Sequence, residues 1–218
     1  MRRTLLLDLD GTLVDTVPDI TTALNRLMHG RGLPGFSRTQ VAAMVGDGVA
    51  VLVARAFAAH QLRSDACAVA EMSADYTAHV AAESEPYPDV LRVLTELVGQ
   101  DWRLAVCTNK PEQAARRLLS AVGLLPLLCA IGGGDSFPTR KPDPGHLLGT
   151  LTLAGGTADA AVVVGDNRND VLAARGAGVP SIFAAWGYGT AEMALGSTCI
   201  ANNIADAAAI ANRLLQTE

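Results

Sequence analysis

Apolar positions fall into two rhythms along the chain. Runs of consecutive β-prone apolar residues occur at Thr4–Leu9, Leu104–Thr108, Ala161–Gly165 and Ser181–Ala185, with a weaker fifth at Leu127–Ile131. They show little alternation with polar residues, which predicts strands covered on both faces, as in a parallel sheet. Between them the spacing becomes that of amphipathic helices. Pro88 opens one helix, through Val90, Leu91, Val93, Leu94, Leu97 and Val98, ending near Gly99. Pro111 opens another, through Leu118, Leu119 and Val122, closed by Gly123, and a third runs from Asn169 through Leu172 to Gly176. Strands alternating with helices after residue 88 predict an α/β fold built on a doubly wound parallel sheet.

Residues 17–85 follow only the helical rhythm. Helices are predicted at Ile20–Met28, Thr39–Val45, Val49–Ala59 and Ala66–Ala82, with Ser37 as an N-cap and Gly30, Gly32, Pro34 and Gly35 in a connecting loop. The expected division is a core from residues 1–16 and 86–218, interrupted by a helical domain over 17–85. Pro86 and Pro88 suit the boundary where the sheet resumes.

Composition narrows the function classes. Of 218 residues, half are apolar and 18% are charged, with a net charge of −5 and no basic run. Nucleic-acid binding is disfavoured, because a phosphate backbone needs clustered Lys and Arg. The four cysteines (Cys67, Cys107, Cys129, Cys199) have neither disulfide-framework nor zinc spacing. No uncharged apolar stretch reaches the roughly 18 residues of a membrane span, and Asp8 interrupts the short run after Arg2-Arg3. The expectation is a cytoplasmic protein without a membrane or nucleic-acid partner, as a monomer or homodimer.

In an open α/β sheet, ligands bind beyond the carboxyl ends of the strands. The first run ends in Asp8-Leu9-Asp10-Gly11-Thr12, the second in Thr108-Asn109-Lys110, and the third in Gly165-Asp166 with Asp170 four residues on; Arg140-Lys141-Pro142-Asp143-Pro144 precedes the third. Strand alternation points residues i and i+2 the same way, placing the carboxylates of Asp8 and Asp10 near each other, with Asp166 beside them if its strand is adjacent. Clustered acids repel unless a cation neutralises them. The candidate ligands are hard oxygens, which selects Mg2+ over zinc. Mg2+ commonly takes a phosphate oxygen, and Thr108 and Lys141 are then candidate donors to a phosphoryl group. Singly, each residue has a plain structural reading: a strand-end turn for Asp8 and Asp10, a local hydroxyl for Thr108, a surface lysine for Lys141, helix caps for Asp166 and Asp170. Their joint occurrence at successive strand ends is what points to a site.

Together these segments resemble the haloacid dehalogenase superfamily of phosphohydrolases. The resembling motifs are Asp8-Leu9-Asp10-Gly11-Thr12-Leu13-Val14-Asp15, Thr108 after Leu104-Ala105-Val106-Cys107, Lys141-Pro142-Asp143-Pro144, and Gly165-Asp166-Asn167-Arg168-Asn169-Asp170. The resemblance implies a Rossmann-like core with a mobile helical cap inserted after the first motif. It implies Asp8 as nucleophile forming an aspartyl-phosphate, and Asp10 as general acid, then base. Thr108 and the backbone at Asn109 would bind phosphoryl oxygens, and Lys141 would neutralise charge on the phosphoryl group and Asp8. Mg2+ would be held by Asp8, the main-chain carbonyl of Asp10, and Asp166, with Asp170 behind them orienting metal waters or Lys141. Dehalogenating members lack the second acid, so Asp10 favours phosphoryl chemistry; a phosphomutase stays open, and a non-catalytic phosphate binder has no need of Asp10.

Several stretches resemble the phosphoglycolate phosphatase branch more specifically: Val106-Cys107-Thr108-Asn109-Lys110-Pro111, Gly132-Gly133-Gly134-Asp135-Ser136, Trp186-Gly187-Tyr188-Gly189, and Met44-Val45-Gly46-Asp47-Gly48-Val49 leading into Arg55-Ala56-Phe57. The resemblance implies a small phosphorylated metabolite as substrate, with 2-phosphoglycolate first and sugar phosphates, nucleotides or pyrophosphate as alternatives. Gly46 and Gly48 allow close backbone approach to an anion at a helix N-terminus, or form a plain helix–helix turn. Asp47 would repel that anion unless it points away, and Arg55 could face either solvent or the site.

Overall fold

A computed structural model describes residues 2–216; residues 1, 217 and 218, at the ends of the expected core segments, lie outside them. The chain opens with β1 (Thr4–Leu7) and the short β2 (Val14–Asp15). Four helices follow: α1 (Val17–His29), α2 (Arg38–Ala42), α3 (Val49–Ala59) and α4 (Ala66–Ala78). β3 (Glu85–Pro86) then pairs antiparallel with β2, so the helical insertion leaves and returns through one two-stranded ribbon. The remainder alternates: α5 (Val90–Gly99), β4 (Arg103–Cys107), α6 (Glu112–Ala121), β5 (Ala130–Gly132), α7 (Pro144–Leu153), β6 (Ala161–Gly165), α8 (Arg168–Gly176), β7 (Ser181–Ala184), β8 (Cys199–Ala201) and α9 (Ile204–Leu214).

The six-stranded sheet has the order β5-β4-β1-β6-β7-β8, and every neighbouring pair is parallel. Side chains alternate across it. Leu5, Leu7, Leu104, Val106, Val162 and Val164 pack on one face with residues of α5, α6 and α9. Leu6, Ala105 and Val163 pack on the other with Leu147 and Leu151 of α7 and Ala173 and Ala174 of α8. Both faces being covered, the strands read as unbroken apolar runs. Each fully buried leucine of β1 contributes about 1.5–3 kcal/mol, which anchors the strand firmly enough to carry acids beyond its end.

β1 lies between β4 and β6, with Leu7 in register with Val106 and Val164. From β1 the strand order runs outward in both directions, making this the switch point where an open sheet holds its ligand. The insertion has its own apolar cluster, including Leu24, Met28, Val53, Phe57 and Met72. Its α2 opens on a capping box between Ser37 and Gln40. No helix among the described residues is long and apolar enough to cross a membrane.

Several boundaries differ from expectation. β1 stops at Leu7, not Leu9, because Leu9 O accepts the N–H groups of Leu13 and Val14 and closes a turn. The run at Leu127–Ile131 is not a strand throughout: Leu125–Leu127 is a 3-10 turn containing Pro126, and pairing begins at Ala130. Proline's fixed φ and missing N–H account for that. α4 ends at Ala78 rather than Ala82, and Ala81 has a left-handed φ of 65°. The β2–β3 ribbon, α7, β8 and α9 lie beyond the elements that the hydrophobic pattern predicts. α7 hides because Gly145 and Gly149 dilute its periodicity, although Asp143-Pro144 caps its start. β8 is an edge strand of only three residues with Ile200 exposed.

Candidate active site

Asp8, Thr108 and Asp166 are each the residue that follows one of the three central strands, and the register brings Asp8 level with Cys107 and Gly165, one residue short of Thr108 and Asp166 on either side. All three are buried, as are Lys141 and Asp170. Asp8, Asp166 and Asp170 each offer a carboxylate oxygen within 4.8 Å of the others. Lys141 Nζ donates to Cys107 O and to Asp170 Oδ1, both at 2.6 Å. It lies 2.9 Å from Asp8 Oδ1 but without the alignment of a hydrogen bond, so that buried oxygen has no hydrogen-bond partner. Asp166 accepts from Thr12 Oγ1 at 3.1 Å and from Tyr188 N at 2.7 Å.

Three carboxylates face one ammonium. Burial, reinforced by Asp8 and Asp170, pushes the Asp166 carboxyl up to about 8. Burial also raises Asp170, to about 6, although Lys141 opposes it. For Lys141, burial disfavours the charged form, but Asp170 and Asp8 outweigh it and raise its pKa. The unpartnered oxygen on Asp8, the excess of negative charge and an all-oxygen donor set together fit a hard divalent cation such as Mg2+.

Asp10 departs from expectation. Beyond Leu7 the strand alternation lapses, and the Asp10 carboxylate lies outside the three-acid cluster. It accepts from Lys110 Nζ at 2.7 and 3.0 Å and from Thr16 Oγ1 at 2.7 Å. Its main-chain carbonyl accepts no hydrogen bond among the described residues. Asp10 could therefore reach the cation through that carbonyl and not through its carboxylate. Sequence reasoning gave Lys110 no role, although it stands in the strand-end segment Thr108-Asn109-Lys110. Burial disfavours its charge, yet Asp10 and Tyr76 raise its pKa. Its ammonium lies 4.4 Å from the centroid of the Tyr76 ring on α4.

Thr108 Oγ1 accepts Lys110 N–H at 3.2 Å, and the hydroxyl proton has no acceptor among the described residues. Asn109 joins the two parts of the molecule: its Nδ2 donates to Gly46 O of the insertion and to Lys141 O of the core, both at 3.0 Å. Gly46 (φ 119°) and Gly48 (φ 86°) sit in conformations that side chains disfavour, and a Cβ on Gly46 would strike Asn167. Asp47 is turned aside. It accepts from Asn169 Nδ2 at 2.7 Å and pairs with Arg55 at 2.5 Å, and Arg55 also donates to Met44 O. Arg55 thus braces the loop from its outer side and is not among the residues lining the cavity described below.

The Trp186–Gly189 segment, which sequence reasoning singled out without a role, supports the first turn. Trp186 Nε1 donates to Thr12 O at 3.0 Å. Tyr188 Oη donates to Asp15 Oδ1 at 2.7 Å and accepts from Thr16 N at 2.7 Å, locking the start of the ribbon. A side chain on Gly11, whose φ is 82°, would run into the Asp166 carboxylate.

The rim opens into a cavity of about 660 Å3 between core and insertion. Asp8, Asp10, Thr108 and Lys110 line it from the core; Gly46, Gly48, Leu52 and Tyr76 line it from the insertion.

Residues 5–184 match the model of a family described as haloacid dehalogenase-like hydrolase. The chain is 41% identical over 187 residues to a phosphoglycolate phosphatase of Agrobacterium fabrum, covering 84% of this chain and 80% of that protein. It is 40% identical over 214 residues to one of Rhodospirillum rubrum, covering 94% and 89%. Among solved structures, it superposes on that of a predicted phosphoglycolate phosphatase from Haemophilus somnus 129pt with a TM-score of 0.88, at 29% identity, over 95% of this chain and 97% of that one.

Proposed function

The chain belongs to the haloacid dehalogenase-like hydrolases and is a phosphatase, and from that premise we propose that it is a Mg2+-dependent phosphomonoesterase that forms an aspartyl-phosphate on Asp8 and hydrolyses 2-phosphoglycolate to glycolate and phosphate. The observation that carries this reading is the buried cluster of Asp8, Asp166, Asp170 and Lys141, which reaches the cavity through Asp8 beside the free hydroxyl of Thr108.

Asp8 Oδ1, lacking a hydrogen-bond donor, is the attacking oxygen. Its bond to phosphorus forms as the phosphorus–ester oxygen bond breaks, and Asp10 gives its proton to the departing alkoxide. In the second half, Asp10 takes a proton from water, the water oxygen bonds to phosphorus, and the Asp8–phosphorus bond breaks to release phosphate. Two acids are needed because the nucleophile cannot also carry the proton. Lys141 and the Thr108 hydroxyl would receive charge on the phosphoryl oxygens, since phosphoryl transfer depends chiefly on positioning and charge neutralisation. Mg2+ would be held by Asp8, Asp166 and the Asp10 carbonyl, with Asp170 holding Lys141 in place; when bound it supplies positive charge for the phosphoryl oxygens. Residues 17–85 act as a cap over the site, excluding bulk water.

The test is phosphate release from a panel of phosphomonoesters with and without Mg2+. The highest kcat/KM is expected for 2-phosphoglycolate, with activity lost on chelation. A flat profile overturns the substrate assignment. Parent-like turnover by Asp10→Asn overturns the division of roles.

A further inference from the structure

We propose that Lys110 and Tyr76 form a subsite for a carboxylate on the leaving group, one half supplied by the core and the other by the helical insertion, an inference that rests on the phosphatase reading above and makes these two residues the determinants of substrate choice. Tyr76 is 7% exposed, its hydroxyl has no hydrogen-bond partner, and it lines the cavity that holds Asp8. A buried hydroxyl without a partner is destabilising, so its retention at a cavity wall points to a ligand acceptor. Burial pushes the Tyr76 phenol up to about 12, which keeps its proton in place as a donor.

Lys110 supplies charge at the same place. Its ammonium has three donors, and its two contacts with Asp10 occupy at most two of them. The position relative to the reaction follows from Asp10. A residue that protonates the leaving oxygen stands beside that oxygen, and Lys110 stands beside Asp10 at 2.7 Å. A carboxylate one carbon beyond the ester oxygen therefore falls next to Lys110 and under Tyr76. The other cation lining the cavity, Arg117, is exposed and donates to Thr77 O, away from Asp10. The rest of the insertion's wall is largely apolar, with Leu52, Val49 and Met72, and gives a neutral leaving group no comparable partner.

Binding of two unreactive phosphonates tests this without turnover. One is 3-phosphonopropionate, which carries the carboxylate; the other is propylphosphonate, which does not. By calorimetry with Mg2+ present, the parent is expected to prefer the carboxylate by roughly tenfold or more, the strength of a hydrogen bond to a charged group. Tyr76→Phe, which keeps the ring, should reduce that preference to about threefold or less while leaving propylphosphonate affinity unchanged. Lys110→Met should remove it, and Arg117→Met should not. Equal binding of both phosphonates by the parent overturns the subsite, as does a preference that survives Tyr76→Phe or follows Arg117. Failure of the parent to hydrolyse any ester overturns the proposed function instead, and the phosphonate comparison still reads the subsite by itself.

Discussion

The rim of the sheet and the insertion above it handle charge in opposite ways. At the rim, Asp8, Asp166, Asp170 and Lys141 are buried within a few ångströms of one another, and their charges do not balance. In the insertion, the ion pairs are at the surface and match each acid with an arginine: Arg26–Asp75, Arg31–Glu71, Arg38–Glu83 and Arg55–Asp47. A surface pair contributes about 0–1 kcal/mol. Breaking a buried pair costs about 3–5 kcal/mol, because a charge is stranded. The rim therefore stores an electrostatic demand that, in the proposed function, a cation and a phosphoryl group would answer, whereas the insertion is an apolar bundle that presents a wall. The proposed function assigns chemistry to the first region and selection to the second, with Asn109 and the Lys110–Tyr76 contact joining them.

The largest effect that separates the regions is loss of the proposed nucleophile, Asp8. Asp8→Asn should lower kcat by roughly 10^4-fold or more, while circular dichroism and thermal midpoint stay at or above the parent's, since one repelling acid is gone. Phosphate release near the parent rate would place the nucleophile elsewhere. Next comes Lys141→Met, which leaves Asp8 and Asp170 without their shared cation. Denaturant unfolding without Mg2+ should show a loss of about 3–5 kcal/mol, against little change for a broken ion pair of the insertion such as Arg26→Met.

A third test uses pH. The folded Asp166 carboxyl is raised to about 8 and Asp170 to about 6, against about 3.9 in an unfolded chain. A carboxyl raised on folding contributes its stability below the unfolded value and loses it as pH rises through the folded one. In metal-free protein, the contribution of these two groups should therefore fall between about pH 4 and pH 8. The stabilisation conferred by Mg2+ should grow over the same window, as protons cease to compete with the cation. Calorimetric scans with and without Mg2+ measure both; a Mg2+ gain independent of pH would contradict this account of the rim.

The smallest effect belongs to the insertion. Arg55→Met frees the charge on Asp47 near the cavity mouth without touching the rim. KM for an anionic ester should rise by about two- to fivefold, the scale of a surface pair, with kcat unchanged. A fall in kcat instead would mean that Arg55 acts on the chemistry.

Much of the rim is legible in the sequence because parallel strands deliver their next residues to one edge. Asp8, Thr108 and Asp166 need only the strand ends to be found and β1 to lie between β4 and β6. The expectation fails where it extends strand geometry past the strand: Asp10 lies beyond the turn at Leu9, and alternation no longer governs it. Lys110 is in view as a residue but not as a partner, because its contact with Asp10 spans 100 positions. Arg55 is undecided between solvent and site in the sequence, and its place on the outer side of the loop depends on where α3 begins relative to Asp47.

The sequence by itself determined the α/β core, the helical insertion and the set of acids, hydroxyl and lysine at the strand ends, because hydrophobic period and strand termini are local properties. Only the tertiary structure decided that Asp10 turns to Lys110 and Thr16, that Asp47 is held by Arg55, and that Tyr76 comes down over Lys110 with an unpartnered hydroxyl. Those contacts join elements far apart in the chain, and their partners are chosen by how the insertion packs over the sheet, which no local pattern encodes.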